Sequence, residues 1–126
     1  MINEALLIEQ LKNVQTKEKA FKELISLYKE RLYWHIRKIV ISHEDADDVL
    51  QNTFIKIFRN IDKFNQESKL FSWMYRIATN ESITFINKRV KQRNVDISDY
   101  QQNLASTLAN DVFLPVMKFN LFYKKR

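Results

Sequence analysis

Apolar residues recur along the first part of the chain with the three- and four-residue spacing of amphipathic helices. Asn3 can cap a short first helix, and Thr16 can cap a second helix that runs from about Lys17 toward Val40. The apolar face of the first consists of Ala5, Leu6, Ile8, Leu11 and Val14. That of the second consists of Phe21, Leu24, Ile25, Tyr28, Leu32 and Ile36. Both are expected to be packing helices.

A third helix is predicted from Ser42 to about Ile61, because Ser42 to Asp45 match a capping box. Acidic residues occupy its first turns and basic residues its last. This order complements the helix dipole, which is enough to explain it without a binding role. Its apolar side carries Val49, Leu50, Thr53, Phe54, Ile57, Phe58 and Ile61. Its other side carries Asp48, Gln51, Asn52, Ile55 and Arg59. An exposed Ile55 among polar residues indicates a partner-binding anchor, and a solvated face with a stray Ile explains the spacing equally well.

The longest predicted helix runs from Lys69 to Asn94. One stripe can be buried: Phe71, Met74, Tyr75, Ala78, Ser82 and Phe85. Other positions face elsewhere: Arg76, Asn80, Thr84, Lys88 and Lys91. This segment contains six basic residues and one acidic residue, which accounts for most of the chain's net charge of +6. Such a cluster suits phosphate, although basic residues also complement the end of a helix dipole.

Two segments interrupt the helical pattern. Asp62 to Ser68 is a predicted loop, in which Phe64 either fills the core or forms the wall of a pocket. Val95 to Val112 holds three Asp and no Lys or Arg, so it is predicted to be an acidic linker. A brief helix at Leu104 to Leu108 is expected to be poorly ordered, because no partner helix follows it. The tail from Phe113 to Arg126 mixes aromatic and basic residues without a clear period.

Composition narrows the fold class and the chemistry. The 126 residues are enough for one domain, and the absence of Gly with a single Pro favours an all-α bundle of about four helices. We expect no metal site, no cofactor and no enzymatic activity, because there is no Cys, no Gly-rich phosphate loop and no nucleophile with a base. His35 is expected to be a surface or rim histidine and not a metal ligand, because no Cys, Asp or Glu lies at ligand spacing around it. With no signal peptide or membrane span evident, the expected location is the cytoplasm, and a pI near 9.6 indicates an acidic partner, nucleic acid before membrane.

Three motifs in this order resemble a known family. Asp45 to Phe64, then Phe71 to Asn80, then Ile86 to Arg93 closely resemble the second conserved region of extracytoplasmic-function (ECF) sigma factors of bacterial RNA polymerase. The resemblance covers about Leu6 to Asn94, which sets the expected domain at residues 1–94, followed by linker and tail at 95–126. It implies a helical domain that binds the polymerase clamp and the melted, single-stranded minus-ten promoter element. An anti-sigma factor is a further candidate partner.

The resemblance also implies roles for particular residues. Polymerase binding falls to the third helix, through Asp48, Gln51, Asn52 and Ile55. Base recognition falls to Phe64, Ser68 and Asn80, and phosphate binding to Arg76, Lys88, Arg89 and Lys91. Family members continue into a helix-turn-helix domain, whereas here the resemblance fades after about Asp111. The alternative is therefore an interaction module that titrates polymerase or an anti-sigma factor without initiating transcription.

Overall fold

The computed structural model describes residues 3–93 and 98–109. It contains five α-helices and a short 3₁₀ turn in those residues: α1 (Glu4–Leu11), α2 (Lys17–Val40), α3 (His43–Asn60), the turn Ile61–Lys63, α4 (Leu70–Arg93) and α5 (Ser98–Ala109). The all-α prediction is confirmed, and the predicted ends of the second, third and fourth helices are within about a residue of the observed ones. The described helices include none long and apolar enough to cross a membrane.

Side-chain caps begin two of the helices. The Asn3 Oδ1 accepts a hydrogen bond from the Leu6 amide at 3.1 Å, and the Ser42 Oγ accepts one from the Asp45 amide at 3.0 Å. Thr16 does not cap α2 in this way, and that prediction is wrong. Its Oγ1 donates to the carbonyl of Gln10 at 2.7 Å, so the hydroxyl ties the α1–α2 connection together.

The buried face of α1 also differs from the predicted one. Leu7, Ile8 and Leu11 are buried, whereas Leu6 is 48% exposed and Val14 is 90% exposed. Val14 lies beyond Leu11, where α1 ends, so the helical spacing no longer carries its side chain to the core.

Helices α2, α3 and α4 form a three-helix bundle. Phe21 near the start of α2 contacts Phe54 and Phe58 near the end of α3, which makes these two helices antiparallel. Tyr28 contacts Phe71 and, two turns later, His35 bonds Thr79, so α4 runs parallel to α2. Most of the core between them is aliphatic. It includes Leu24, Leu32, Ile36, Ile39, Ile57 and Met74, each at most 1% exposed. Burial of each such side chain stabilises the fold by about 1.5–3 kcal/mol before entropy is counted.

Helix α5 packs against α2 and shares this core. Its Tyr100 and Leu104 are 6% and 7% exposed. The expectation of a brief, poorly ordered helix in the acidic segment is therefore wrong, because these two side chains, four residues apart, meet an apolar surface that the bundle supplies. The predicted tail from Phe113 and the predicted boundary at Asn94 lie outside the described residues.

A tight turn joins α2 to α3. Ile41 has φ 75° and ψ −52°, and the Ser42 amide donates to the carbonyl of Val40 at 2.8 Å. These values define a γ-turn of the strained, positive-φ form. Since the chain contains no Gly, a β-branched residue occupies a conformation that glycine would adopt more easily. The Arg37 side chain also donates to the Ile41 carbonyl, which holds the turn in place.

Candidate nucleic-acid and protein interface

The outer face of α3 is solvent-exposed, as its spacing predicts. Asp48, Gln51 and Asn52 are exposed, and Ile55 among them is 42% exposed. The opposite face packs into the bundle through Val49, Thr53 and Ile57. Substitutions on the outer face therefore alter a surface that could contact a partner and leave the core packing in place.

The outer face of α4 presents most of the predicted nucleic-acid residues. Arg76, Lys88 and Lys91 are exposed, and Asn80 is half-buried. Arg76 and Asn80 are one helical turn apart, so they lie on the same side of α4. The fold thus brings an amide and several cations together along one helix, an arrangement that can bind a phosphate backbone and a base edge.

Arg89 is placed differently from the other predicted phosphate ligands. Its guanidinium forms an ion pair with Asp45 of α3 at 2.8 Å, and it lies 4.7 Å from the centre of the Phe85 ring. A second ion pair, between Lys56 and Glu81 at 2.8 Å, closes the same α3–α4 seam further along. Arg89 therefore stabilises the contact between α3 and α4. To bind a phosphate, its guanidinium would have to leave Asp45 or bind both groups at once.

Phe64 is buried, with 2% of its surface exposed. Its ring packs against Trp73 at 5.1 Å between centres, while Ser68 in the same loop is exposed. Of the two interpretations left open by the sequence, this conformation matches the one in which Phe64 fills the core. On α4 its ring partner is the half-buried Trp73, which is not one of the predicted nucleic-acid residues.

Two residues that the sequence did not single out hold this loop: Glu4 in the first turn of α1, and Lys12, which directly follows that helix. The Lys12 ammonium donates to the carbonyl of Phe64, and the Glu4 carboxylate accepts from the Leu70 amide at 3.1 Å. Glu4 thereby caps α4 from a position 66 residues away in the chain. No local spacing could have shown these contacts, because each joins segments far apart in sequence.

His35 is buried, so the expected surface or rim position is wrong. It is 4% exposed, its ring stacks on Tyr75 at 3.7 Å, and its Nε2 bonds the Thr79 hydroxyl at 2.7 Å. Burial, with a smaller contribution from the nearby Lys38 charge, lowers the pKa of His35 to about 3. It is therefore neutral near pH 7. Within the described residues, no group of His, Cys, Asp and Glu is placed to hold a metal ion.

Comparison with known families assigns the chain. The family described as sigma-70 region 2 matches residues 24–92, more than half of the chain. The chain belongs to the sigma-70 region 2 family. The matched range includes the outer face of α3, the loop and almost all of α4, and it excludes α1 and α5.

Curated relatives agree with this sigma family. The chain is 32% identical to the ECF RNA polymerase sigma factor SigW of Bacillus subtilis over 68% of its own length and 46% of the relative's. It is 30% identical to the ECF RNA polymerase sigma-E factor of Haemophilus influenzae over 90% of its length and 60% of the relative's. These findings confirm the resemblance to the second region of ECF sigma factors. The chain spans about half the length of the curated relatives that it matches.

Proposed function

We propose that this chain acts in bacterial transcription initiation as a sigma-factor domain in the cytoplasm. It binds the clamp of core RNA polymerase through α3 and the single-stranded minus-ten promoter element through the 64–69 loop and α4. The chemistry of RNA synthesis belongs to the polymerase. The observation that carries the proposal is the pair of exposed faces inside the sigma-70 region 2 match, one polar around Ile55 and one basic on α4.

The polymerase contact is the outer face of α3. Ile55 supplies an apolar anchor, and Asp48, Gln51 and Asn52 around it supply polar contacts of the kind found at an interface rim. None of these four side chains is needed to fill the core, since all are exposed.

The test of this contact is charge reversal with a stability control. Asp48→Lys combined with Ile55→Glu should weaken core binding and leave the thermal melt unchanged. Glu23→Lys, at an exposed position on α2, is the matched control and should bind as the wild type does. Unchanged core binding in the double variant, or its global unfolding, would remove the support for α3 as the contact.

Promoter recognition requires a base taken out of its stack, at a cost of a few kcal/mol. Aromatic contact contributes about 1–3 kcal/mol per base, so Phe64 can repay much of that cost once the loop opens. Ser68 and Asn80 offer hydrogen-bonding groups for a base edge. Arg76, Lys88 and Lys91 hold the phosphates, and Arg89 joins them after exchanging Asp45 for a phosphate.

The two kinds of DNA contact are separated by their salt dependence. Lys88→Ala should lower the slope of log affinity against log salt by about 0.7 and weaken all single strands alike. Asn80→Ala should flatten discrimination at one position by roughly 1–3 kcal/mol and leave the slope unchanged. The titration uses both the isolated chain and its complex with core polymerase, because Phe64 is covered in the isolated fold.

Transcription assays with core polymerase then test initiation itself. A promoter-dependent transcript supports the full proposal. Binding to core without a transcript would instead support the alternative, a module that titrates polymerase.

A further inference from the structure

A cleft of about 470 Å³ lies between α2 and α4, on the side of α4 that faces α2. Its walls include Arg31, Trp34 and Lys38 from α2, and Phe71 and Tyr75 from α4. None of these residues was predicted to bind anything. The residues that line it include neither Phe64 nor any residue of α3.

Trp34 is the exposed aromatic residue of this cleft. It is 55% exposed, and its contact with the Tyr33 ring is T-shaped, with centres 5.0 Å apart. An exposed indole offers a flat apolar surface on which a nucleic-acid base can stack.

Two cations flank Trp34 along α2. Arg31 precedes it by three residues and Lys38 follows it by four, so each lies about one turn, roughly 5.4 Å, from it along the helix. The Arg31 guanidinium lies 3.9 Å from the centre of the Phe71 ring, which fixes its position at the cleft wall. Glu30 also borders the cleft, so the cations outnumber the carboxylate there by two to one. An aromatic surface with a cation one turn away on either side fits a base joined to a phosphate.

His35 also borders the cleft, and its hydrogen bonding fixes its tautomer. The Thr79 hydroxyl donates its proton to the Tyr75 carbonyl at 3.0 Å, so it can only accept from His35, and the His35 proton is on Nε2. The Nδ1 atom therefore carries a lone pair, and it is buried without a hydrogen-bond partner among the described residues.

We propose that the α2–α4 cleft is a nucleotide subsite, in which a base stacks on Trp34 and its phosphate binds Arg31 and Lys38. The nucleotide is one unit of the single strand that α4 holds. Arg76 is exposed and directly follows Tyr75, a residue of the cleft wall, so the cleft and the outer face of α4 are adjacent along that helix. That the nucleotide belongs to a DNA strand rests on the proposed function. A free nucleotide would bring the same base and phosphate to the cleft and does not depend on that function.

The experiment uses Trp34 as its own reporter. The chain has two Trp residues, so Trp73→Phe leaves Trp34 as the only indole. Its fluorescence is titrated with the octanucleotide dT8, with dTMP and with inorganic phosphate. We expect dT8 to quench Trp34 and phosphate alone not to. Quenching by dTMP at comparable affinity would assign the cleft to free nucleotide.

Matched variants in the otherwise unchanged chain measure the contribution of the cleft. Trp34→Ala should weaken dT8 binding roughly five- to hundred-fold, as expected for one stacked base. Lys38→Met should weaken it more than Lys22→Met, another exposed lysine of α2. Thermal melts of all variants should match the wild type, because the substituted side chains are exposed.

The outcomes separate this inference from the proposed function. If dT8 binds, by the anisotropy of a labelled strand, without quenching Trp34 or responding to Trp34→Ala, the subsite is overturned and the proposed function stands. If dTMP quenches Trp34 while no strand binds even with core polymerase present, the subsite stands and the promoter contact falls. Quenching by neither ligand overturns the subsite.

Discussion

Arg89 and Asp45 form a 2.8 Å ion pair that joins the end of α4 to the start of α3. The two side chains are only 21% and 13% exposed, so water screens the pair less than it screens a surface pair. The basic residues at the end of α4 and the acidic residues at the start of α3 each complement the dipole of their own helix. Through this ion pair they also attract each other across the α3–α4 contact.

We predict that this pair stabilises the domain measurably. Asp45→Asn should lower the free energy of unfolding by about 1.5–3 kcal/mol, the range for a hydrogen bond to a charged group. A double-mutant cycle with Arg89→Gln, followed by denaturant melts, should give a coupling energy of at least about 0.5 kcal/mol. Asp47→Asn is the control, because Asp47 pairs with His43 where both are well exposed, and it should change stability by less. Equal losses in the two Asn variants would contradict the prediction.

Lys12 is predicted to restrain the loop that covers Phe64. Lys12→Met removes the donor to the Phe64 carbonyl, so local opening should become more frequent by roughly two- to tenfold. Hydrogen exchange at the amides of Phe64, Glu67 and Leu70 would report it, since all three are hydrogen-bonded in the closed loop. Lys19→Met, at an exposed position of α2, should leave these amides protected. Unaltered exchange in Lys12→Met would show that Glu4 and the Phe64 ring suffice to hold the loop.

Acid should destabilise the fold through His35. The pKa of His35 falls from 6.5 to about 3 on folding, so between these values the unfolded chain binds the extra proton. Stability from this group is full above about pH 6.5 and is lost as the pH falls toward 3, by about 1.4 kcal/mol per pH unit. Charged Lys38 nearby acts in the same direction as burial.

Thermal melts between pH 6.5 and 4.5 test this effect. His35→Gln should have a shallower dependence of stability on pH than the wild type, whatever its stability at neutral pH. His43→Gln removes the chain's other histidine, which is exposed, and should keep the steep dependence. Parallel curves for wild type and His35→Gln would refute the prediction.

Helix α5 is predicted to contribute to the stability of the bundle. Leu104→Ala removes a buried side chain and should lower the free energy of unfolding by about 2–4 kcal/mol. Gln101→Ala, exposed on the same helix, should be nearly neutral. A neutral Leu104→Ala would show that α5 adds no packing energy.

The tail is predicted to add nothing to stability. Deletion of residues 113–126, which lack a clear period, should leave the thermal melt unchanged.

The sequence predicts those features of the fold that depend on residues close to one another in the chain. The caps at Asn3 and Ser42 and the spacing of apolar residues were enough to locate the main helices, because each signal is local. The burial of His35 depends on Thr79, which is 44 residues away, and on a stack with Tyr75 that no spacing reveals. The order of α5 also depends on distant residues, because its two buried side chains, Tyr100 and Leu104, need the apolar surface that α2 supplies.

The two connections that follow α2 and α3 differ in reach. Only Ile41 and Ser42 separate α2 from α3, and two residues span at most about 7 Å even when fully extended. The six residues 64–69 ahead of α4 can span about 20 Å. A partner that engages α3 must therefore carry the end of α2 with it, since the γ-turn has no slack. Uncovering Phe64 requires extra chain length, and residues 64–69 provide it between the 3₁₀ turn Ile61–Lys63 and the first turn of α4.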